Sequence, residues 1–135
     1  MRILHSADYN NKKAEEELNL HYNWKLETLP IVLNNVMKDL LDSGLYYVHG
    51  RDKSLRPLNI FCPAVVLEKQ FDINDAIAAS HFVDQYIINY LMTPEKVENW
   101  SSILDLGKLS FNSLPKKWIL DFIKAFSHHY YSRAR

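Results

Sequence analysis

Cysteine is nearly absent from this chain. Cys62 stands alone, so no disulfide can form within the chain and a reducing compartment is favoured. Glycine is scarce as well. Gly44, Gly50 and Gly107 are too few and too scattered to build a phosphate-cradling loop. No apolar run approaches the ~18 residues of a membrane span, and the opening residues hold no stretch that reads as a signal peptide. Net charge is zero, with 16 basic and 16 acidic residues, and no nucleic-acid partner is expected. The expectation is a soluble, cytoplasmic protein.

What is present is ordinary for a globular fold. At 135 residues the chain is one domain long, and 47% hydrophobic against 24% charged residues argues against disorder. Charge is unevenly placed. Seven acids face two lysines between residues 68 and 107, whereas six basic residues accompany Asp121 from Lys108 onward. The basic residues are spread along an expected helix, so a solvated face is the simpler reading of that end. Contact of this basic end with anionic head groups or nucleic acid is the alternative weighed against it.

Taken in order, residues 11–26 carry Leu18, Tyr22 and Leu26 at four-residue spacing, which predicts an amphipathic helix. Thr28 is expected to cap a second helix with Pro30 in its first turn and Gly44 as its left-handed end. Residues 45–48 and 58–67 read as two strands around a polar turn. Gly50 tolerates positive φ there, Asp52 can bond its own backbone, and Pro57 suits a strand start. Asp72 is expected to cap a long helix through Met92, its apolar face including Ala76, Ala79, Val83, Tyr86, Ile87 and Tyr90. Thr93-Pro94 ends it. Residues 100–106 predict a buried strand. Ser113 and Pro115 then begin a last helix with Trp118, Ile119, Phe122, Ile123 and Phe126 on its buried stripe. The order α, α, β, β, α, β, α predicts an α/β fold with a mixed sheet, the first two strands antiparallel and the third parallel through a crossover.

The stretch 49–61, HGRDKSLRPLNIF, has a pattern of its own. A hydrophobic residue followed by H-G-x-D-K-x-x-R-P resembles the opening strand pair of the CRAL-TRIO lipid-binding domain, the fold of phosphatidylinositol- and tocopherol-transfer proteins. Residues 100–110, WSSILDLGKLS, resemble the same family's apolar strand ending in aspartate, then glycine and serine. Leu55 stands where the family has glycine. The resemblance implies an N-terminal helical segment over residues 1–44 and the first part of the lipid-binding domain over 45–135, lacking the later strands and gate helix.

The resemblance further implies binding, and intracellular transfer, of a phospholipid or other small hydrophobic molecule, with transient membrane contact. The second reading is a non-enzymatic scaffold that keeps the fold without a closed pocket and covers its open sheet edge with a protein partner or a second copy. For the lipid, strand residues Asn59, Phe61, Val65 and Ile103 and helix residues Phe82, Tyr86 and Tyr90 are expected to supply an apolar pocket. By resemblance, Ser110 offers a hydroxyl to the head group with Asn112 nearby. His49, Gly50, Asp52, Arg56 and Pro57 are read as the hairpin motif, and Asp105 as a structural anchor.

No catalytic role is expected. His49 and Asp52 at i, i+3 with Cys62 as nucleophile would need pairing across a hairpin. Adjacent His128 and His129 point about 100° apart on a helix, and His81 with Asp84 gives too few ligands for a metal. No cofactor is expected.

Overall fold

The computed structural model describes residues 2–107, 109–110, 120, 122–125, 129–130 and 133. A short helix α1 (Arg2–Ser6) precedes α2 (Asn11–Thr28). Asn10 caps α2 by accepting from the Lys13 N–H at 3.0 Å. The expected stripe of Leu18, Tyr22 and Leu26 faces solvent instead, at 52%, 59% and 66% exposure. The neighbouring face, with Ala14, Glu17, His21 and Trp24, is the half-buried one. The helix has turned by about one residue, roughly 100°, because the Trp24 indole stacks on His129 with ring centres 4.2 Å apart.

The next helix begins later than Thr28 and Pro30 suggest. α3 spans Asn35–Asp42, and Asn34 is its cap, accepting from the Met37 N–H at 2.8 Å. The β-branched pair Ile31 and Val32 favours extended backbone, and an asparagine beyond them offers a better cap than threonine. Residues 29–34 therefore form a linking segment. Gly44, at φ 81°, ends α3 as expected. Its N–H donates to Leu41 and the Leu45 N–H donates to Leu40, the paired bonds of a left-handed helix end.

The sheet matches the expected topology. β1 (Tyr46–Arg51) pairs antiparallel with β2 (Pro57–Phe61), and β2 pairs parallel with β3 (Ser101–Leu104). Register shifts between Val48 and Arg51, where β1 has one more residue than β2, and Gly50 at φ 98° absorbs this bulge. The second strand is shorter than the run 58–67. It stops at Phe61, because Pro63 has no N–H for a ladder and instead leads into α4 (Ala64–Lys69). Val65 is thus a helix residue, buried in the core.

Asp72 caps α5 (Ile73–Tyr86), accepting from the Asn74 N–H at 2.7 Å. The following turn, Ile87–Leu91, widens to a π-helix and ends at Met92. Ala76, Ala79, Ser80, His81, Asp84 and Ile87 form the buried face, whereas Tyr86 and Tyr90 are exposed. Among the described residues β3 is an edge strand rather than a buried one. Trp100 just before it is fully buried, but Ile103 and Leu104 are 48% and 46% exposed.

One core joins α3, α4 and α5 to the sheet through Met37, Leu40, Tyr46, Phe61, Val66 and Ala76. A second joins Ile87, Trp100 and Tyr130, with Trp24 and Val48 packed against it. Leu120 and residues 122–125 are helical, in keeping with the last helix. Phe122 stacks on Phe61 at 4.1 Å, while Ile123 is exposed. Ser113, Pro115, Trp118, Ile119, Phe126 and His128 lie outside the described residues.

Candidate functional site

The hairpin tip is held by one carboxylate. Asp52 accepts from the backbone N–H groups of Ser54 (2.8 Å) and Arg56 (3.0 Å), from Arg56 Nε (2.7 Å) and from the Ser101 hydroxyl (2.8 Å). Desolvation alone would raise its pKa. The bonds from Ser101, Arg56 and Ser54 outweigh that and lower it to about 2. A carboxylate so engaged cannot serve as a base for His49. Leu55 occupies the turn at φ 62°, a left-handed conformation that glycine adopts without strain.

Cys62 lies at the other end of the hairpin from His49. Tyr46 pairs with Phe61, so His49 is three residues further along β1, roughly 10 Å away. The Cys62 thiol sits 3.8 Å from Asp105 Oδ2. Asp105 also takes the Gly107 N–H on Oδ1 at 2.9 Å, and its own N–H donates to the Phe61 carbonyl at 2.9 Å. These bonds tie the end of β3 to β2. Among the described residues no group of three His, Cys, Asp or Glu is placed to hold a metal ion.

The residues expected to share one pocket divide among three places. Asn59 and Phe61 point into the core, 0% and 6% exposed. Ile103 pairs with Ile60 rather than with Phe61, and side chains alternate faces along a strand. It therefore joins Tyr47 and Ile60 on the opposite face of the sheet, where Tyr47 is 40% exposed. Phe82 and Tyr86 border a groove on the outer side of α5. Ser110 is exposed, and Asn112 lies outside the described residues.

Asn59 belongs to a buried polar chain. Its Nδ2 donates to the Tyr46 hydroxyl at 2.6 Å, and that hydroxyl donates to Asp84 Oδ1 at 2.7 Å. Among the described residues Asn59 Oδ1, Asp84 Oδ2 and Trp100 Nε1 have no hydrogen-bond partner. Burial pushes the Asp84 carboxyl well above the usual range, against the Tyr46 bond. It also pushes the Tyr46 phenol up, with Asp84 adding to the effect. One turn back, burial and the neighbouring His129 lower His81 to about 4.

The outer groove has a volume of about 680 Å³ and is walled by Leu29, Pro30, Ile31, Phe82, Tyr86 and Tyr90, with the amides of Gln85 and Asn89. Pockets for small ligands are concave, largely apolar and ~300–1,000 Å³, with a few polar groups. The groove meets that description. Sequence reasoning found Phe82, Tyr86 and Tyr90 but missed the opposing wall, since residues 29–31 read as a helix start. It also missed Asp84 as a core residue. The signal was Ala76, Ser80, Asp84 and Ile87, at i, i+4, i+8 and i+11, which places a carboxyl on the inward face.

No curated protein gives a significant match to the chain. A family model for the CRAL/TRIO domain matches residues 41–135, which takes in the hairpin, α4, α5, β3 and the residues beyond. Domains of this family bind lipids and other small hydrophobic ligands. With that match over most of its length, the chain belongs to the CRAL/TRIO domain family.

Proposed function

We propose that this chain binds a phospholipid or another small hydrophobic molecule, without catalysis, in the groove between residues 29–31 and the outer face of α5. The observation that carries the reading is the groove itself: about 680 Å³, six apolar or aromatic walls and two side-chain amides to orient a ligand. Family membership supports the ligand class. Tyr86 and Tyr90 are 49% and 71% exposed, so a ligand here removes aromatic surface from water at about 25 cal/mol per Å². Intracellular transfer, and a cytoplasmic site of action with transient membrane contact, complete the proposal. The test is titration with a fluorescent fatty acid or phospholipid. Tyr86→Asp with Tyr90→Asp should weaken binding at least about tenfold, whereas unchanged affinity would remove the ligand from this groove.

A second reading draws on a different surface. Among the described residues β3 is the edge of a three-stranded sheet, and Tyr47, Ile60 and Ile103 share its outward face. An open edge with apolar residues beside it invites strand pairing, so a protein partner or second copy there would make the chain an interaction scaffold. Ile103→Lys would abolish self-association on that reading and leave ligand binding intact on the first.

A further inference from the structure

A second groove of about 590 Å³ lies beside the first, with Trp24, Asn74, Ile77, Ala78, His81 and His129 in its lining. Pro30 and Ile31 border both grooves. The α5 residues of the second groove, Asn74, Ile77 and His81, continue at spacings of three and four into Gln85 and Asn89 of the first. Residues so spaced share one face of a helix. The two grooves therefore lie along one side of α5, on either side of Pro30 and Ile31.

The crossing segment is lightly held. The Leu29 N–H donates to Lys25 at one end, and Asn34 caps α3 at the other. Between them Pro30 has no N–H, and among the described residues the N–H groups of Ile31, Val32 and Leu33 donate to no backbone carbonyl. Val32 is 79% exposed, and Ile31 packs against the core as the segment's inward anchor. Segments with few buried contacts and few backbone bonds open at low free-energy cost.

The trough also states what it would hold. Among the described residues neither groove has an Asp, Glu, Lys or Arg in its lining. From Asn74 to Asn89 its floor runs roughly 22 Å at ~1.5 Å per residue, more than the ~15 Å available to a chain in one leaflet of a ~30 Å hydrocarbon core. A long trough whose described walls are mostly apolar suits a linear hydrocarbon better than a peptide.

We propose that residues 29–33 form a displaceable strap, and that lifting Pro30 and Ile31 opens a continuous trough along α5 that takes one linear hydrocarbon chain. The inference rests on the reading that the Phe82–Tyr86 groove binds a hydrophobic ligand, and it extends that site beneath the strap. Burial and His129, itself on the wall of the second groove, hold the His81 imidazole at a pKa of about 4, so His81 stays neutral at pH 7.

The experiment is displacement of a fluorescent fatty acid by saturated fatty acids from octanoate to stearate. It uses the wild-type chain, Ile77→Trp and Ile77→Glu, with circular dichroism to check folding; Ile77 is only partly buried. Wild-type affinity should climb along the whole series. Both variants should match wild type for octanoate and gain little with longer chains. Variants that gain as wild type does would overturn the continuous trough and leave the first groove standing. Failure of every protein to bind any chain would overturn the ligand reading and the trough with it. Ile31→Ala should speed uptake of palmitate several-fold, and an unchanged rate would overturn the strap.

Discussion

The Tyr46 hydroxyl donates to Asp84 Oδ1 at 2.7 Å across 38 positions of sequence, joining the first strand to the helix that crosses the sheet. Asp84 is fully buried, and its second oxygen has no partner among the described residues. The two residues fix how α5 sits on the sheet, and hence where its outer face presents the groove.

Asp84→Asn should stabilise the chain at neutral pH. Burial raises the folded pKa above the unfolded value of 3.8. Between those two values the folded state holds a proton that the unfolded state has lost, so stability falls as pH rises through the window. An amide supplies the neutral group at any pH. Urea unfolding should show a gain of about 1–3 kcal/mol at pH 7, shrinking as pH falls towards 4. A loss that grows as pH rises would show that the charged carboxylate is the stabilising form.

His81 should act in the opposite direction. Trp24, His129 and Tyr130 crowd it, Asp84 lies one turn on, and its folded pKa is about 4 against 6.5 unfolded. Its contribution is fully present above pH 6.5 and is lost as pH falls towards 4, to a total of about 3 kcal/mol. His81→Phe should remove that part of the acid sensitivity. The check is the difference in unfolding free energy between variant and wild type at pH 7 and pH 4.5. An unchanged difference would show that folding does not shift the His81 pKa.

Leu55→Gly should stabilise the hairpin by about 1 kcal/mol, since a left-handed non-glycine residue costs ~1–2 kcal/mol and glycine returns part of that as unfolded-state entropy. Leu55 is 65% exposed, so little packing is lost. Thermal melting would show the gain. Asp52→Ala should do the reverse by releasing the Ser54, Arg56 and Ser101 donors, and its effect should fade as pH drops from 3.8 towards 2, the interval over which Asp52 protonates unfolded but not folded.

Much of the topology was legible because its signals are local. The hairpin, the Asp72 cap and the Gly44 helix end each rest on a few adjacent residues whose backbone preferences agree. The parallel pairing of β3 followed from strand, helix, strand. What was not legible depended on partners far along the chain. Trp24 turns α2 away from its leucine stripe by stacking on His129, and Tyr46 is what lets Asp84 occupy the core face of α5. The candidate site was half readable: the aromatic side on α5 showed its period, but the facing wall at residues 29–31 has none.

The most direct test of the account is native mass spectrometry of the chain after exposure to a mixed lipid extract, with the Tyr86→Asp, Tyr90→Asp double variant beside it. The account predicts one hydrophobic ligand per wild-type monomer and none on the variant. A ligand-free dimer, or equal loading of both proteins, would contradict it.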